Sequence, residues 1–262
     1  MLRSLRTAAL GMAAQQLNVD AIANNLANVN TTGYKKSTVE FQDLLYETIN
    51  TGSAEGAQGR EKPSEINIGL GNKPISTFRS YSQGAIEATN NPLDMAISGK
   101  GFFQVMMPDG SITYSRDGAF RINSTGEMVN SAGLKMYPNI SLPDGVQSVN
   151  IAQNGVVAAL IDGEVTPLEI GQIELANFMN PAGLKPIGGN LLEASEASGD
   201  PSYGMAGDQG FGTVMQGYLE KSNGDVVKEM INLIVAQRSY EINSKAVKTA
   251  DEMLAMTNAL KR

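Results

Sequence analysis

The chain has 262 residues, 42% of them hydrophobic, with 20 basic and 27 acidic side chains and a net charge of −7. That is enough apolar material for one large or two modest domains, and the acidity argues against a general nucleic-acid binder, whose basic surface would release counterions from phosphate. Cys, His and Trp are absent, which excludes His-based triads, Cys nucleophiles, disulfides and the usual zinc sites.

The first predicted element is a helix. Leu5, Met12, Val19 and Leu26 recur at heptad spacing, and Ala8, Gln15, Ile22 and Val29 follow them as a second row, so both rows share one helical face. Arg3, Arg6 and the run TAALGMAAQQ have a faint signal-peptide look, but cleavage would destroy a stripe that continues to Val29. No run approaches the ~20 apolar residues of a membrane span.

This helix closes in NNLANVNTTGYKK. Asn and Thr side chains compete for backbone hydrogen bonds, and Gly33 can take the left-handed conformation that ends a helix, so Asn28 to Gly33 reads as its terminus. Asn24 and Asn25 are expected to bridge to neighbouring backbone or subunits. Lys35-Lys36 beside Tyr34 is weak evidence for nucleic acid in an acidic chain.

Residues 34–65 read as an extended connecting segment. Within it, Thr48–Lys62 (TINTGSAEGAQGREK) has one large apolar residue, Ile49, too little to offset the entropy of ordering it in a free chain. It is expected to stay flexible in a free chain. From Ile66 the pattern changes to short β-branched and aromatic runs, GFFQVMM, SITYS, AFRIN and EMVNS, punctuated by Asp109-Gly110, Asp117-Gly118 and Thr125-Gly126. Such dipeptides mark hairpins. Asp144-Gly145, Asn154-Gly155 and Asp162-Gly163 continue the rhythm, which predicts an antiparallel β domain over residues 66–193. A second polar stretch, Ala194 to Gly212, opens another connecting segment, residues 194–223.

The C-terminal helix repeats the N-terminal design. Val226, Leu233, Tyr240, Val247 and Leu254 form one heptad row, with Ala236, Asn243, Ala250 and Thr257 as its companion. A further row, Val235, Ile242, Thr249 and Met256, widens the apolar face beyond a two-stranded seam, so this helix wants more than one neighbour. An isolated helix of about 25 residues with so mixed a face is marginal in water. Both ends are therefore expected to order mainly on association.

Charge and glycine follow the same division. Residues 1–39 carry +3 and residues 225–262 carry +1, leaving −11 in the middle, and only Gly11 and Gly33 of the 28 glycines fall in the two ends. The expected fold is α+β: terminal helices (1–33 and 224–262) packed as a coiled-coil-like pair, and a central antiparallel β domain joined to them by the extended segments. The predicted assembly interface comprises Leu5, Met12, Val19, Ile22, Asn24, Asn25, Leu26 and Val29, with Val226, Leu233, Tyr240, Val247 and Leu254.

Gly69-Leu70-Gly71 and Gly99-Lys100-Gly101 complete neither GxGxxG nor GxxxxGK[ST] and open no predicted helix, so they read as turns. The aspartates at 109, 117, 144 and 162 each precede Gly, as hairpin turns require, and no signature pairs them as acid and base. Ser and Lys are plentiful, yet nothing points to a Ser–Lys dyad. No catalytic, cofactor-binding or metal-ligating residue is assigned, and no cofactor is expected.

ANNLANVNTTGYKK and VAQRSYEINSKAVKTADEMLAMTNALKR resemble the terminal signatures of the bacterial flagellar rod and hook family, and SQGAIEATNNPLDMAISGKGFFQV (Ser82 to Val105) is similar to that family's distal rod branch. The resemblance spans nearly the whole chain. It implies a non-enzymatic subunit that polymerises helically into a hollow shaft, carries motor torque across the periplasm to the hook, and passes export substrates. It further implies proximal rod and hook subunits as neighbours, peptidoglycan and outer-membrane ring proteins around the shaft, and delivery by the flagellar type III export apparatus without a cleaved signal peptide. A proximal rod or hook-type axial subunit is the nearest alternative. The residues alone also leave open a secreted β-domain enzyme or binding module with helical oligomerisation ends.

Overall fold

In a computed structural model, which describes residues 2–50, 66–143, 145–163 and 166–259, the chain is α+β. Helix α1 spans Leu2–Ala27, helix α2 spans Val226–Ala259, and the strands lie between them in sequence. Two compact units emerge: Met1–Leu26 with Ser37–Phe78 and Val226–Arg262, and Ala27–Lys36 with Arg79–Asp225.

In the first unit α2 packs on α1. A Cβ added to Gly11 would lie 3.0 Å from Nδ2 of Asn243, so the bare glycine is what allows the helices this close. Ala8 and Ala14 of α1 and Ala236 and Ala250 of α2 are buried as well. Residues 34–65 were expected to be extended linker, but strand Ser37–Asp43 pairs with Asn72–Arg79, and Tyr46–Asn50 pairs antiparallel with Ile66–Gly69. The β-branched and aromatic residues of STVEFQD and YETIN supply strand propensity that their polarity concealed. Of the Thr48–Lys62 segment, residues 51–62 lie outside the described residues.

The second unit is built on a nine-stranded sheet whose centre is Phe102–Met106, paired with Ile112–Ser115 on one side and with Lys135–Tyr137 and Glu174–Asn177 on the other. Alternate side chains of a strand point to opposite faces. Phe103 therefore enters one core, edge-to-face with Phe120 at 5.5 Å, while Phe102 enters another, edge-to-face with Tyr81 at 5.5 Å and Phe178 at 5.9 Å. The first core is closed by a three-stranded sheet, Val146–Ile151, Val156–Ile161 and Leu168–Gln172, which contributes Ile151, Val157 and Ala159. Burial on both faces explains why Phe102 to Val105, Gln104 included, are all buried rather than alternating buried with exposed.

Hairpin turns fall where expected at Asp109-Gly110, Thr125-Gly126, Asn154-Gly155 and Asp162-Gly163; Asp144 lies outside the described residues. Asp117-Gly118 closes no hairpin. Its flanking strands, Ile112–Ser115 and Phe120–Ile122, pair with other partners. Gly118 instead lies so close to the Met95 carbonyl that a Cβ would overlap it, and its own carbonyl accepts the Met95 N–H at 3.0 Å.

Residues 194–223, expected as connecting segment, carry three strands. Ser202–Met205 pairs with Glu174–Asn177, Thr213–Gln216 with Met95–Ser98, and Tyr218–Glu220 with Ile86–Ala88. Each is three or four residues long, too short for a periodic signal, and the last two find partners more than a hundred residues upstream.

Candidate assembly surfaces

The predicted interface residues divide by exposure. Ile22 and Asn25 are buried; Leu5, Met12, Val19, Leu26, Val29, Leu233, Val247 and Leu254 are half-buried; Asn24, Val226 and Tyr240 are exposed. Asn25 acts as a bridge within the first unit: its Nδ2 donates to the Ser37 carbonyl at 2.8 Å and its Oδ1 accepts the Ser37 N–H at 2.9 Å. An amide makes this pair of bonds to the backbone of one residue because it offers both a donor and an acceptor.

The widening row on α2 has a different environment. Ile242 is 68% exposed, and Val235 and Met256 are similarly open. Val227, Met230, Ile231 and Ile234 are exposed beside them. Scattered apolar exposure is ordinary, but a contiguous stripe marks an interaction surface. The strands of the same unit add Tyr46, Ile75 and Phe78, and the connection before Tyr46 adds Leu45, 83% exposed. A two-stranded ribbon is marginal without a covered face. It is fastened to α1 by an Arg3–Glu47 ion pair at 2.6 Å, which is half-exposed and contributes little.

The second unit contains a cluster that sequence reasoning missed. Lys35 Nζ donates to Glu220 Oε1 at 2.6 Å and to the Ser82 carbonyl at 2.7 Å, and Arg116 Nη1 lies 3.6 Å from Glu220 Oε2. Arg116 also faces the Phe102 ring at 5.5 Å. Burial pushes the Lys35 ammonium below its ordinary value, opposed by its hydrogen bond to Glu220 and that residue's charge. Around this cluster the chain leaving α1 is bonded to the chain approaching α2. Gly33 N–H donates to the Glu220 carbonyl at 2.8 Å, Lys36 N–H to Asn223 Oδ1 at 2.9 Å, and Asn223 Nδ2 to the Ser80 carbonyl at 2.8 Å. Gly33, at φ +68°, would place a Cβ 2.6 Å from the Asp117 nitrogen. Its glycine therefore serves close backbone approach as well as the turn after α1. Asp117 accepts from the Thr32 hydroxyl at 2.9 Å and from Asn190 at 3.2 Å, a structural carboxylate in a backbone junction.

Lys35 was visible in the sequence only as half of a dibasic pair, and nothing marked Glu220, Arg116 or Asn223. Their partners lie up to 187 residues away. Among the described residues no group of three or more Asp and Glu could hold a metal ion, and no helix is long and apolar enough to cross a membrane.

Three family models match. They are described as flagellar hook protein FlgE/F/G D1 domain (residues 96–159), flagellar basal body rod FlgEFG protein C-terminal (residues 215–260) and flagella basal body rod protein (residues 5–35). The chain is 47% identical to the flagellar basal-body rod protein FlgG of Borreliella burgdorferi, with all of both chains covered. It is 45% identical to that of Caulobacter vibrioides, covering 99% of this chain and all of the other, and 40% identical to that of Bacillus subtilis, covering all of both.

Proposed function

Because the chain belongs to the flagellar basal-body rod and hook family, we propose that copies of it stack helically into a hollow shaft, with α1 and α2 joined along their heptad rows in a coiled-coil-like seam. It is a structural subunit of the flagellar distal rod, not an enzyme, and polymerises with other rod and hook subunits. The observation that carries the helical stacking is the exposed row Val235, Ile242 and Met256 on α2, which a neighbouring copy would cover. Burying each such side chain gains roughly 1.5–3 kcal/mol, and the gain recurs in every subunit.

In this reading the predicted residues from Leu5 to Val29 and from Val226 to Leu254 form the assembly surface. The shaft transmits torque and passes export substrates through its lumen. Peptidoglycan and outer-membrane ring proteins surround it in the periplasm, proximal rod and hook subunits meet its ends, and the flagellar type III apparatus delivers it without cleavage of a signal peptide. Electron microscopy of the purified chain is the test. Ordered tubes are expected; small closed oligomers would overturn the proposal.

A further inference from the structure

Two cavities in the second unit share Tyr81 and Arg116 as lining. The smaller, about 30 Å³, is bounded also by Gly33, Lys35 and Arg79; the larger, about 240 Å³, lies among Lys100, Phe102, Phe178 and Met179. Four cations therefore gather here, Lys35, Arg79, Lys100 and Arg116, against the single carboxylate of Glu220 in the cluster. Among the described residues no acidic side chain lies within ion-pair distance of Arg79 or Lys100.

The hydrogen bonding is incomplete in the same place. Arg116 is 6% exposed, and its Nη2 and Nη1 donate to the carbonyls of Gly99 at 2.6 Å and Ile97 at 3.4 Å, but its Nε has no partner. Nor has the buried Tyr81 hydroxyl. Buried donors left unmade are costly, and a buried cation in excess of its counterions more so. Both residues line the larger cavity, and an acceptor carrying negative charge would satisfy both deficits.

We propose that this cavity is a carboxylate-accepting contact whose occupant is a glutamate on the surface of a second copy of this chain. The inference rests on the polymer reading above. Two features select this occupant over a free inorganic anion. The cavity offers the Phe102 and Phe178 rings to a methylene stem as well as cations to its carboxylate, and Met179 beside it is 96% exposed, an apolar side chain that only a macromolecular surface would cover. The chain itself, with 27 acidic residues against 20 basic, is the kind of surface that complements a local excess of cations.

Lys100→Glu and Met179→Asp test this in the full-length chain, because both side chains are exposed and the isolated subunit is expected to keep its thermal stability. Each is expected to raise the critical concentration for polymerisation about tenfold or more. Arg121→Glu, the same charge change at an exposed position on the strand Phe120–Ile122, is expected to leave it near the wild-type value. A critical concentration unmoved by Lys100→Glu, or moved equally by Arg121→Glu, would overturn the contact while leaving the rod reading intact. Failure of the wild-type chain to polymerise would overturn both. A map of the polymer should place a neighbour's carboxylate beside Lys100, and a cavity filled by water alone would refute the assignment.

Discussion

Lys35 and Glu220, 185 residues apart in sequence, meet at 2.6 Å with side chains 3% and 0% exposed. They join the chain that has just left α1 to the chain about to start α2. Arg116 completes the cluster from the nine-stranded sheet, and the Gly84 N–H donates to Glu220 Oε1 at 2.8 Å. One carboxylate thus organises three distant segments.

Glu220→Gln is expected to destabilise the second unit by about 3–5 kcal/mol, because it leaves Lys35 and Arg116 buried without a counterion. Denaturant unfolding followed by near-ultraviolet circular dichroism reads this directly. The double variant Lys35→Met/Glu220→Gln should lose less than the sum of the single losses. Strict additivity would show that the pair is not coupled.

Gly33 and Gly110 both have positive φ, +68° and +86°, but only Gly33 has backbone where a Cβ would go; Gly110 has nothing within 4 Å. Gly110→Ala should cost about 1–2 kcal/mol, the left-handed penalty alone. Gly33→Ala should cost clearly more, since the backbone at Arg116 and Asp117 has to move. Equal melting temperatures for the two variants would contradict this account.

Glu127 accepts from Lys135 at 2.8 Å, Asn139 at 3.0 Å, Asn123 at 3.1 Å and Thr125 at 3.0 Å. These bonds, Lys135 foremost, hold its carboxyl down at about 2. A lowered carboxyl value means that the unfolded chain binds the proton first as acid is added. The resulting stability is present above about pH 4.5 and is lost as pH falls toward 2. Carboxyl chemical shifts should titrate near the low value in the native protein and move upward in Lys135→Met.

Two aspartate substitutions on α2 should separate the packing of the helix pair from assembly. Ile242→Asp falls on an open position and is expected to leave subunit stability within about 0.5 kcal/mol while blocking polymer formation. Leu233→Asp, half-buried in the subunit, should also block the polymer and in addition loosen α2, with the β unit still folded. Sedimentation and circular dichroism on the same samples distinguish the two, and tubes of normal yield from Ile242→Asp would show that its row is not an interface.

The helices were legible because their apolar rows repeat at a spacing that only a helix brings onto one face, and local periodicity needs no knowledge of partners. The hairpins at Asp109-Gly110 and Asn154-Gly155 were legible for a similar reason, since turn chemistry is read over a few adjacent residues. The strands at Ser202, Thr213 and Tyr218 were not, because a strand of three or four residues is defined by the distant edge it pairs with. Asp117-Gly118 has the dipeptide of a hairpin, and only the packed Met95 carbonyl made it a crossing point.

The amino-acid order by itself thus determined the α+β division, the terminal helices and most turns, through interactions a few residues in range. Tertiary structure alone decided that Lys35, Arg116 and Glu220 share one buried site and that the row through Val235 and Ile242 remains uncovered. Charge pairing and burial depend on which distant segments meet, and no local pattern encodes that meeting.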